Sequence, residues 1–106
     1  MSRWYVYLAR CADDSLYCGI ALDVAERVAA HNAGTGAKYT APRRPIHVLL
    51  VRRCADKGLA LRLEYAIKQL NRPQKEALVA APAGLEAIAR RLRRERFGMQ
   101  KSHRRV

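Results

Sequence analysis

Four side chains near the start of the sequence could together promote attack on a phosphodiester. Tyr7, Tyr17, Arg27 and His31 follow one another in a short segment, and each tyrosine belongs to a triplet, YVY and YCG respectively. A phenol or an imidazole can accept a proton from a water molecule, and an arginine can stabilise the charge that develops on a phosphate. A phenol has an ordinary pKa of about 10, so it can act as a base near neutrality only where nearby positive charge favours the phenolate.

Each of these residues also has a common structural explanation. A tyrosine on a strand is usually a packing residue, and an arginine four positions before a histidine on a helix is usually surface charge. It is therefore the combination that indicates chemistry, and the chain must bring the four side chains to one place.

The two tyrosines share a face only if the loop between them has the right length. The sequence on either side of residues 13–15 is aromatic and β-branched, which predicts a β-hairpin. With a two-residue turn, Tyr17 lies opposite Arg10, on the face that Tyr7 avoids. With a three-residue loop over 13–15, Tyr17 lies opposite Cys11 and shares a face with Tyr7. A site with two tyrosines therefore requires an odd loop or a bulge.

The arginine and the histidine are expected on one helix. Asp23 starts a capping-box pattern and Gly34 is placed to end the helix, which predicts a helix over residues 24–33. Arg27 and His31 are four positions apart and so lie on the same face of that helix.

The next segment, residues 34–45, mixes Gly and Pro with cations and an aromatic residue and is predicted to be a loop. A tyrosine between cations can stack on a base while the cations neutralise phosphates. A solvated loop with scattered charge explains the pattern equally well. The candidate nucleic-acid ligands in this loop are Lys38, Tyr39, Arg43 and Arg44.

The second half of the chain is predicted to supply one more strand and three helices. The apolar run over residues 46–53 predicts a strand buried on both faces. Asp56 caps a helix whose apolar residues face the core, and Asn71 with Pro73 starts a short helix to about Ala80. A last amphipathic helix follows and leads into a basic tail.

The charge of the chain points to a polyanionic partner. The 106 residues suffice for one domain with an ordinary core, and their net charge is +12. Residues 90–106 carry +7 of it, with eight Lys/Arg and one acid, and we expect the end of this tail, residues 98–106, to be disordered when free. The charge alone does not separate DNA, RNA and anionic lipid. The candidate phosphate contacts in this region are Arg90, Arg91, Arg93 and Arg94.

Cysteine use and hydropathy indicate the compartment. Cys11, Cys18 and Cys54 are odd in number and lack the spacing of a zinc site, so we expect buried free thiols in a reducing compartment. No stretch approaches the length of a membrane span, and the N-terminus does not have the pattern of a signal peptide. We therefore expect a cytoplasmic protein with no membrane partner.

The order and spacing of the candidate residues resemble the GIY-YIG nuclease superfamily, and most closely its small stand-alone bacterial members. The similarity covers about residues 3–80 and adds Glu64, on a later helix, to the set. It implies an α/β fold with a small three-stranded antiparallel sheet flanked by helices. On this basis residues 1–82 would form the nuclease domain, and residues 83–106 a C-terminal amphipathic helix and basic tail.

The resemblance also implies a role for each site residue. Tyr7 would help to activate the attacking water, Tyr17 would hold or polarise the site, and Arg27 would bind the scissile phosphate. His31 would be an auxiliary proton acceptor or a phosphate ligand. Glu64 would bind one divalent cation, Mg²⁺ or Mn²⁺, and such a cation often takes only one or two carboxylates.

The expected function is that of a metal-dependent endonuclease acting on DNA, selective for structure rather than sequence because no base-reading module is evident. DNA is the expected partner ahead of RNA, and repair or recombination the expected setting. The sequence departs from the family pattern at Ile20, where several nucleases of the superfamily carry a lysine. Two alternatives therefore stay open: a non-catalytic DNA- or RNA-binding module on the same fold, and a basic accessory protein whose last helix docks on a partner.

Overall fold

The structure is a computed structural model that describes the backbone of residues 3–105 and the side chains of residues 3–95. It has the expected α/β class, with three strands and four helices. In chain order the elements are β1 (Trp4–Arg10), β2 (Leu16–Ala21), α1 (Val24–Asn32), β3 (His47–Cys54), α2 (Lys57–Lys68), α3 (Arg72–Ala80) and α4 (Ala83–Arg105), with a 3₁₀ turn (Ala41–Arg43) between α1 and β3.

The strands form one antiparallel sheet in the order β2-β1-β3, so β1 is central. Because side chains alternate along a strand, β1 contributes to two separate clusters. Val6 and Leu8 pack with α2, α3 and α4, whereas Tyr7 and Ala9 pack on the side covered by α1. The candidate site lies on the α1 side.

The hairpin meets the condition that the two tyrosines impose. Its loop has three residues, 12–14, and is closed by a backbone hydrogen bond of 2.8 Å between the residues that flank it. This is one position earlier than the expected 13–15, but the odd length is the same. Tyr17 lies opposite Ala9 and therefore shares a face with Tyr7.

Strand β3 differs from the prediction that it is buried on both faces. Its residues alternate between exposed and half-buried as far as the buried Cys54 at its end, and the apolar side chains of Leu49 and Val51 are 39% and 44% exposed. The reason is its position: β3 is an edge strand, and α2 packs on it while α1 packs over β2. An apolar run does not distinguish this arrangement from full burial.

The helix caps follow the sequence pattern. The Asp23 side chain accepts a hydrogen bond from the backbone of Glu26 at 3.0 Å, and Gly34, with φ of 86°, follows the end of α1. Asp56 caps α2, and Asn71 caps α3 through a reciprocal capping box.

The last helix is longer than expected. Leu85 and Ala89 are buried in the cluster beneath α2, and the backbone continues as one helix to Arg105, where we expected a disordered end. The side chains of residues 96–106 lie outside the described residues, as does the backbone of Val106. Within residues 3–105, none of the helices combines the length and apolar character needed to cross a lipid bilayer.

Ion pairs attach α3 to the tip of the hairpin. Arg10 on β1 binds Glu76 at 2.7 Å, and Arg72 binds Asp14 at 2.8 Å. This contact brings α3 to the β2 edge of the sheet and so places Lys75 near the strand that carries Tyr17.

Candidate active site

The centre of the site is a buried hydrogen bond between the hairpin and α1. The hydroxyl of Tyr7 lies 2.9 Å from Nε2 of His31. Tyr7 is 1% exposed and His31 is fully buried. A phenol and an imidazole at this distance can exchange a proton, so the structure joins the two candidate proton acceptors into one unit.

The other nitrogen of His31 contacts the loop that follows α1. Its Nδ1 lies 2.6 Å from Oγ1 of Thr40, and that hydroxyl lies 3.1 Å from the carbonyl oxygen of Ala37. Thr40 is also fully buried. The sequence alone gives Thr40 no role beyond its place next to Tyr39 in the predicted loop.

Gly36 is required by the same packing. A Cβ at this position would collide with the backbone and the ring of His31. The loop can therefore close over the histidine only with glycine here, and this close approach holds the imidazole in place.

Tyr17 lies between the buried pair and the surface. Its ring centroid is 6.3 Å from that of Tyr7 and 5.1 Å from that of His31. On the outer side it stacks on Tyr39 at 6.0 Å, and the guanidinium of Arg43 lies 4.0 Å from the centroid of the Tyr39 ring. A nucleobase that stacks on the Tyr39 ring therefore has to displace the guanidinium of Arg43.

The loop cations have structural contacts of their own. Arg43 forms an ion pair with Asp13 at 3.0 Å and donates to the carbonyl of Tyr39 at 2.7 Å, and Arg44 donates to Ala41 at 2.8 Å. Lys38 is exposed. Thus the loop residues border the site, but both arginines also stabilise the loop.

Arg27 is half-buried on α1, one turn before His31. It lines a surface cavity of about 440 Å³ together with residues of β2 and the start of α1. Its charge acts on both Tyr7 and His31, and the ring centroids of Tyr7, Tyr17 and His31 lie within 6.3 Å of one another. The four candidate residues of the first segment therefore lie close together.

Burial outweighs Arg27 at the phenol. Burial, followed by the charge of Tyr17, raises the pKa of Tyr7 to about 12, although Arg27 acts in the opposite direction. Burial, and then Arg27, lowers the pKa of His31 below its ordinary 6.5. Both groups are therefore neutral near pH 7, and Arg27 by itself does not produce a phenolate.

Glu64 lies across the edge of the sheet from the tyrosines. It projects from α2 toward Cys18, where burial and then the charge of Glu64 raise the thiol pKa to about 12. Cys18 and Tyr17 are adjacent on β2 and point to opposite faces. Glu64 is thus close to the β2 edge but lies on the α2 side of the sheet, opposite the face that carries Tyr7.

The single carboxylate of Glu64 is sufficient for a hard divalent cation that keeps most of its water ligands. The side chain of Glu64 is 20% exposed and pairs with Lys68 at 3.5 Å. Among the described residues there is no group of three His, Cys, Asp or Glu side chains that could hold a metal. This donor set does not fit zinc, but it fits Mg²⁺ or Mn²⁺, which keep several waters and take one or two carboxylates with substrate phosphate.

One cavity of about 300 Å³ connects the two sides of the β2 edge. Its two lysines are not recognisable as ligands from the sequence, because their approach to Tyr17 depends on how α2 and α3 pack. The lining residues are Leu16, Tyr17, Cys18, Tyr39, Lys68 and Lys75.

The remaining candidates lie away from the tyrosine face. Ile20 packs against the cluster on the α2 side of the sheet, so its side chain does not face Tyr17, but it lines the cavity that contains Arg27. The candidate arginines of α4 are exposed on a helix that also packs on the α2 side, and Arg91 pairs with Glu95 at 3.5 Å. The α4 candidates are Arg90, Arg91, Arg93 and Arg94.

Comparison with known proteins supports the family resemblance. The model of the GIY-YIG catalytic domain matches residues 3–77. A UPF0213 protein of Vibrio cholerae is 48% identical over 88 residues, which cover 82% of this chain and 87% of the relative. The UPF0213 protein YhbQ of Salmonella typhimurium is 44% identical and covers 83% of this chain and 88% of its own length.

A solved structure has a similar fold. The solution NMR structure of the UPF0213 protein BH0048 from Bacillus halodurans is 41% identical in sequence and superposes with a TM-score of 0.50. The match covers 74% of this chain and 83% of that protein.

Proposed function

The chain belongs to the GIY-YIG catalytic domain family, whose activity is of the nuclease type, and we propose that it is a metal-dependent endonuclease that hydrolyses phosphodiester bonds in DNA. The observation that carries the proposal is the buried pair of Tyr7 and His31, joined at 2.9 Å beneath Tyr17 and beside Arg27. A buried tyrosine needs a hydrogen-bond partner, and here that partner is an imidazole, which can also take the proton of an attacking water.

In this mechanism Tyr7 and His31 receive the proton of the attacking water. The raised pKa of Tyr7 keeps the phenol protonated near neutrality, so it can accept a proton only while it gives its own to His31. Since Tyr7 is 1% exposed, binding of the phosphate must open a path to its hydroxyl. Tyr17 and Tyr39, which cover the pair, are the side chains that would shift.

Arg27 would bind the scissile phosphate. Its guanidinium is half-buried at a cavity and close enough to influence both Tyr7 and His31. The planar fork of arginine suits two phosphate oxygens at once, and a partly desolvated charge is worth more than one in bulk water. Tyr17 would then hold the phosphate against the pair.

Glu64 would hold the divalent cation. When bound, this cation would supply charge stabilisation at the leaving oxygen. Lys68 now neutralises the carboxylate and would be released toward a phosphate backbone in the cavity of about 300 Å³ that Lys68 lines. The carboxylate therefore has a cation partner both with and without the metal.

The cations around the site would hold the nucleic acid. Each phosphate contact releases counterions, so affinity should depend strongly on salt and little on base sequence. We propose selection by DNA structure, such as nicks, flaps or branches, and a role in DNA repair or recombination in the cytoplasm. The proposed contacts near the site are Lys38, Tyr39, Arg43, Arg44, Lys68 and Lys75, with the α4 arginines as a more remote arm.

The test is cleavage of labelled nicked, flapped, branched and single-stranded DNA, and of RNA, in Mg²⁺, Mn²⁺ or EDTA. Wild type should cut DNA only with metal, and Glu64→Gln and Arg27→Gln should each lose about a hundredfold or more in rate. Glu86→Gln is the matched control, because Glu86 pairs with Arg52 on the far side of the sheet and should leave the rate unchanged.

Four outcomes would count against this function. Failure of the wild type to cut any substrate, or equal cutting by Glu64→Gln, would contradict the enzyme. Binding that survives EDTA and both substitutions, without cleavage, would identify the protein as a nucleic-acid-binding module. Cleavage of RNA alone would overturn the choice of DNA.

A further inference from the structure

We propose that Thr40 is a positioning residue that holds His31 in the tautomer protonated on Nδ1, which leaves Nε2 free to take the proton of Tyr7. The consequence for catalysis rests on the proposed function, because the transfer matters only if the site hydrolyses phosphodiesters. The tautomer itself does not depend on it.

The direction of the hydrogen bonds supports this tautomer. The hydroxyl of Thr40 has one hydrogen and lies 3.1 Å from the carbonyl oxygen of Ala37, which can only accept. If the hydroxyl donates to that carbonyl, its oxygen accepts the hydrogen on Nδ1 of His31 at 2.6 Å. Nε2 is then bare and accepts the Tyr7 hydroxyl at 2.9 Å. The result is one chain with every hydrogen placed.

The other tautomer leaves the phenol hydrogen of Tyr7 without a partner. With hydrogen on Nε2, Tyr7 accepts from His31, and the phenol's own hydrogen has no acceptor among the side chains of residues 3–95, since the nearby Arg27 can only donate. Thr40 then donates to Nδ1, and the Ala37 carbonyl loses the threonine hydrogen but keeps the backbone N–H of Ala41 at 3.2 Å. In favour of this tautomer there is only the backbone N–H of Ala37, at 3.4 Å from Nδ1. An unpaired phenol hydrogen in a buried site costs about 1–3 kcal/mol, which is more than the long contact between the Ala37 N–H and Nδ1 contributes.

The surroundings of His31 leave Thr40 as the group that determines which ring nitrogen carries the hydrogen. The charged and titratable groups that face the ring are Tyr7, Tyr17 and Arg27, and none of them is a carboxylate. Histidines that act as bases are commonly oriented by a carboxylate or a carbonyl on the second nitrogen. Here a buried threonine, tied to a carbonyl, takes that place, and Gly36 lets the loop approach closely enough.

The proposed step balances as follows. The oxygen of the attacking water forms a bond to phosphorus while one of its protons moves to the Tyr7 oxygen. The Tyr7 proton moves to Nε2 of His31, which becomes an imidazolium whose Nδ1 hydrogen stays bonded to Thr40. The phosphorus–oxygen bond to the leaving group breaks, and the leaving oxygen keeps the electron pair and takes a proton from solvent. His31 returns its extra proton to solvent through Tyr7.

The first test measures the tautomer in the free protein and needs no activity. Nitrogen-15 NMR of the imidazole rings distinguishes protonated from bare nitrogens, and His31→Gln identifies the signals of this residue among the three histidines. Wild type should show hydrogen on Nδ1. Thr40→Val should shift His31 toward hydrogen on Nε2, and Thr40→Ser should match wild type. Hydrogen on Nε2 in wild type overturns the proposal even if Thr40→Val fails to fold.

The second test separates positioning from a merely structural role. Thr40→Val should lower kcat on the preferred DNA by about tenfold to a hundredfold, with KM within about twofold, and Thr40→Ser should restore most of it. In a His31→Gln background the threonine substitution should have no further effect on kcat. An equal loss in both backgrounds overturns the relay. If wild type cuts nothing, the proposed nuclease function fails, while the NMR result still decides the tautomer.

Discussion

Lys68 places its Nζ 3.5 Å from the carboxylate of Glu64, one turn earlier on α2. The lysine also lines the cavity that opens toward Tyr17 and Tyr39. Lys68 is therefore paired with the proposed metal ligand, Glu64, while the substrate is absent. Replacing it should affect metal binding and DNA binding in opposite directions.

Lys68→Gln should lower the concentration of Mg²⁺ that gives half-maximal cleavage, by up to about fivefold, since an exposed ion pair contributes up to about 1 kcal/mol. The same variant should bind DNA more weakly and reduce the slope of log affinity against log salt by about 0.9, the value for one phosphate contact on a duplex. Metal titrations of cleavage and salt titrations of binding measure the two effects.

The matched control for this substitution is Lys75→Gln. Lys75 lines the same cavity from α3, and the ion pairs formed by residues 3–95 include none between it and Glu64. It should reduce the salt slope in the same way and leave the metal requirement unchanged. A shift in the metal requirement for Lys75→Gln as large as that for Lys68→Gln would show that general charge, and not the ion pair, is responsible.

Gly19 lies opposite Tyr7 in the hairpin and leaves room for its hydroxyl. A Cβ there would lie 2.6 Å from the Tyr7 oxygen and 3.1 Å from the ring of Tyr17. Gly19→Ala should therefore displace the phenol from His31, destabilise the fold by about 1–3 kcal/mol and abolish most of the activity. Urea unfolding and cleavage rates on the same preparation measure both effects.

Gly58→Ala is the control for the loss of glycine. At this position, in the first turn of α2, a Cβ would meet only the Asp56 side chain, at 3.3 Å. The alanine should leave activity unchanged, and it should change the free energy of unfolding by no more than about 1 kcal/mol, because the Cβ approaches the oxygen that caps the helix. Normal activity in Gly19→Ala would mean that the contact between Tyr7 and His31 is not needed for cleavage.

Much of this site follows from local sequence patterns. Strand alternation required an odd loop for Tyr7 and Tyr17 to share a face, and the spacing of Arg27 and His31 put them on one side of a helix. These are relations within one hairpin or one helix, where the backbone repeat decides which side chains are neighbours. For the same reason the caps at Asp23 and Asp56 were predicted, as was the start of a helix at Asn71 and Pro73.

The parts that were missed depend on packing between elements. Whether β3 is buried depends on which helices cover it, and an apolar run carries no such information. Thr40 meets His31 only because the loop folds back over α1, and Lys75 reaches the cavity only because α3 is attached to the hairpin. The raised pKa of Tyr7 likewise comes from burial, which periodicity alone does not reveal.

The depressed pKa of His31 predicts how stability changes with pH. The unfolded chain binds a proton on this residue near pH 6.5, whereas burial and Arg27 oppose protonation in the folded state. Below about pH 6.5 the unfolded state therefore binds more protons, and stability should fall as the pH drops, by at most about 1.4 kcal/mol per pH unit from this residue. Above that range His31 should contribute no pH dependence.

Urea unfolding of wild type and His31→Gln between pH 5 and 8 gives the free energy of unfolding at each pH. The difference between the two slopes of this free energy against pH is the contribution of His31. In cleavage assays, the wild-type rate should not change as the pH falls to 6.5 and somewhat below, because the imidazole of His31 stays neutral there. Arg27→Gln should weaken the shift without removing it, since burial is its larger cause. Equal slopes for wild type and His31→Gln would contradict the depressed pKa.

The arginines of α4 should act on affinity and not on the chemical step. Leu85 and Ala89 pack this helix on the α2 side of the sheet, away from Tyr7 and His31. Replacing the four arginines by glutamine should weaken DNA binding and flatten its salt dependence, by up to about 0.9 in slope for each lost phosphate contact. The substituted positions are Arg90, Arg91, Arg93 and Arg94.

Single-turnover cleavage at saturating protein tests this separation. The rate of the four-arginine variant should match that of wild type, whereas Arg27→Gln should be slow even when all the DNA is bound. The control is Arg52→Gln, which removes a cation that is paired with Glu86 at 2.7 Å and should change the salt slope little. A slow single-turnover rate for the α4 variant would place this helix against the substrate at the site of cleavage.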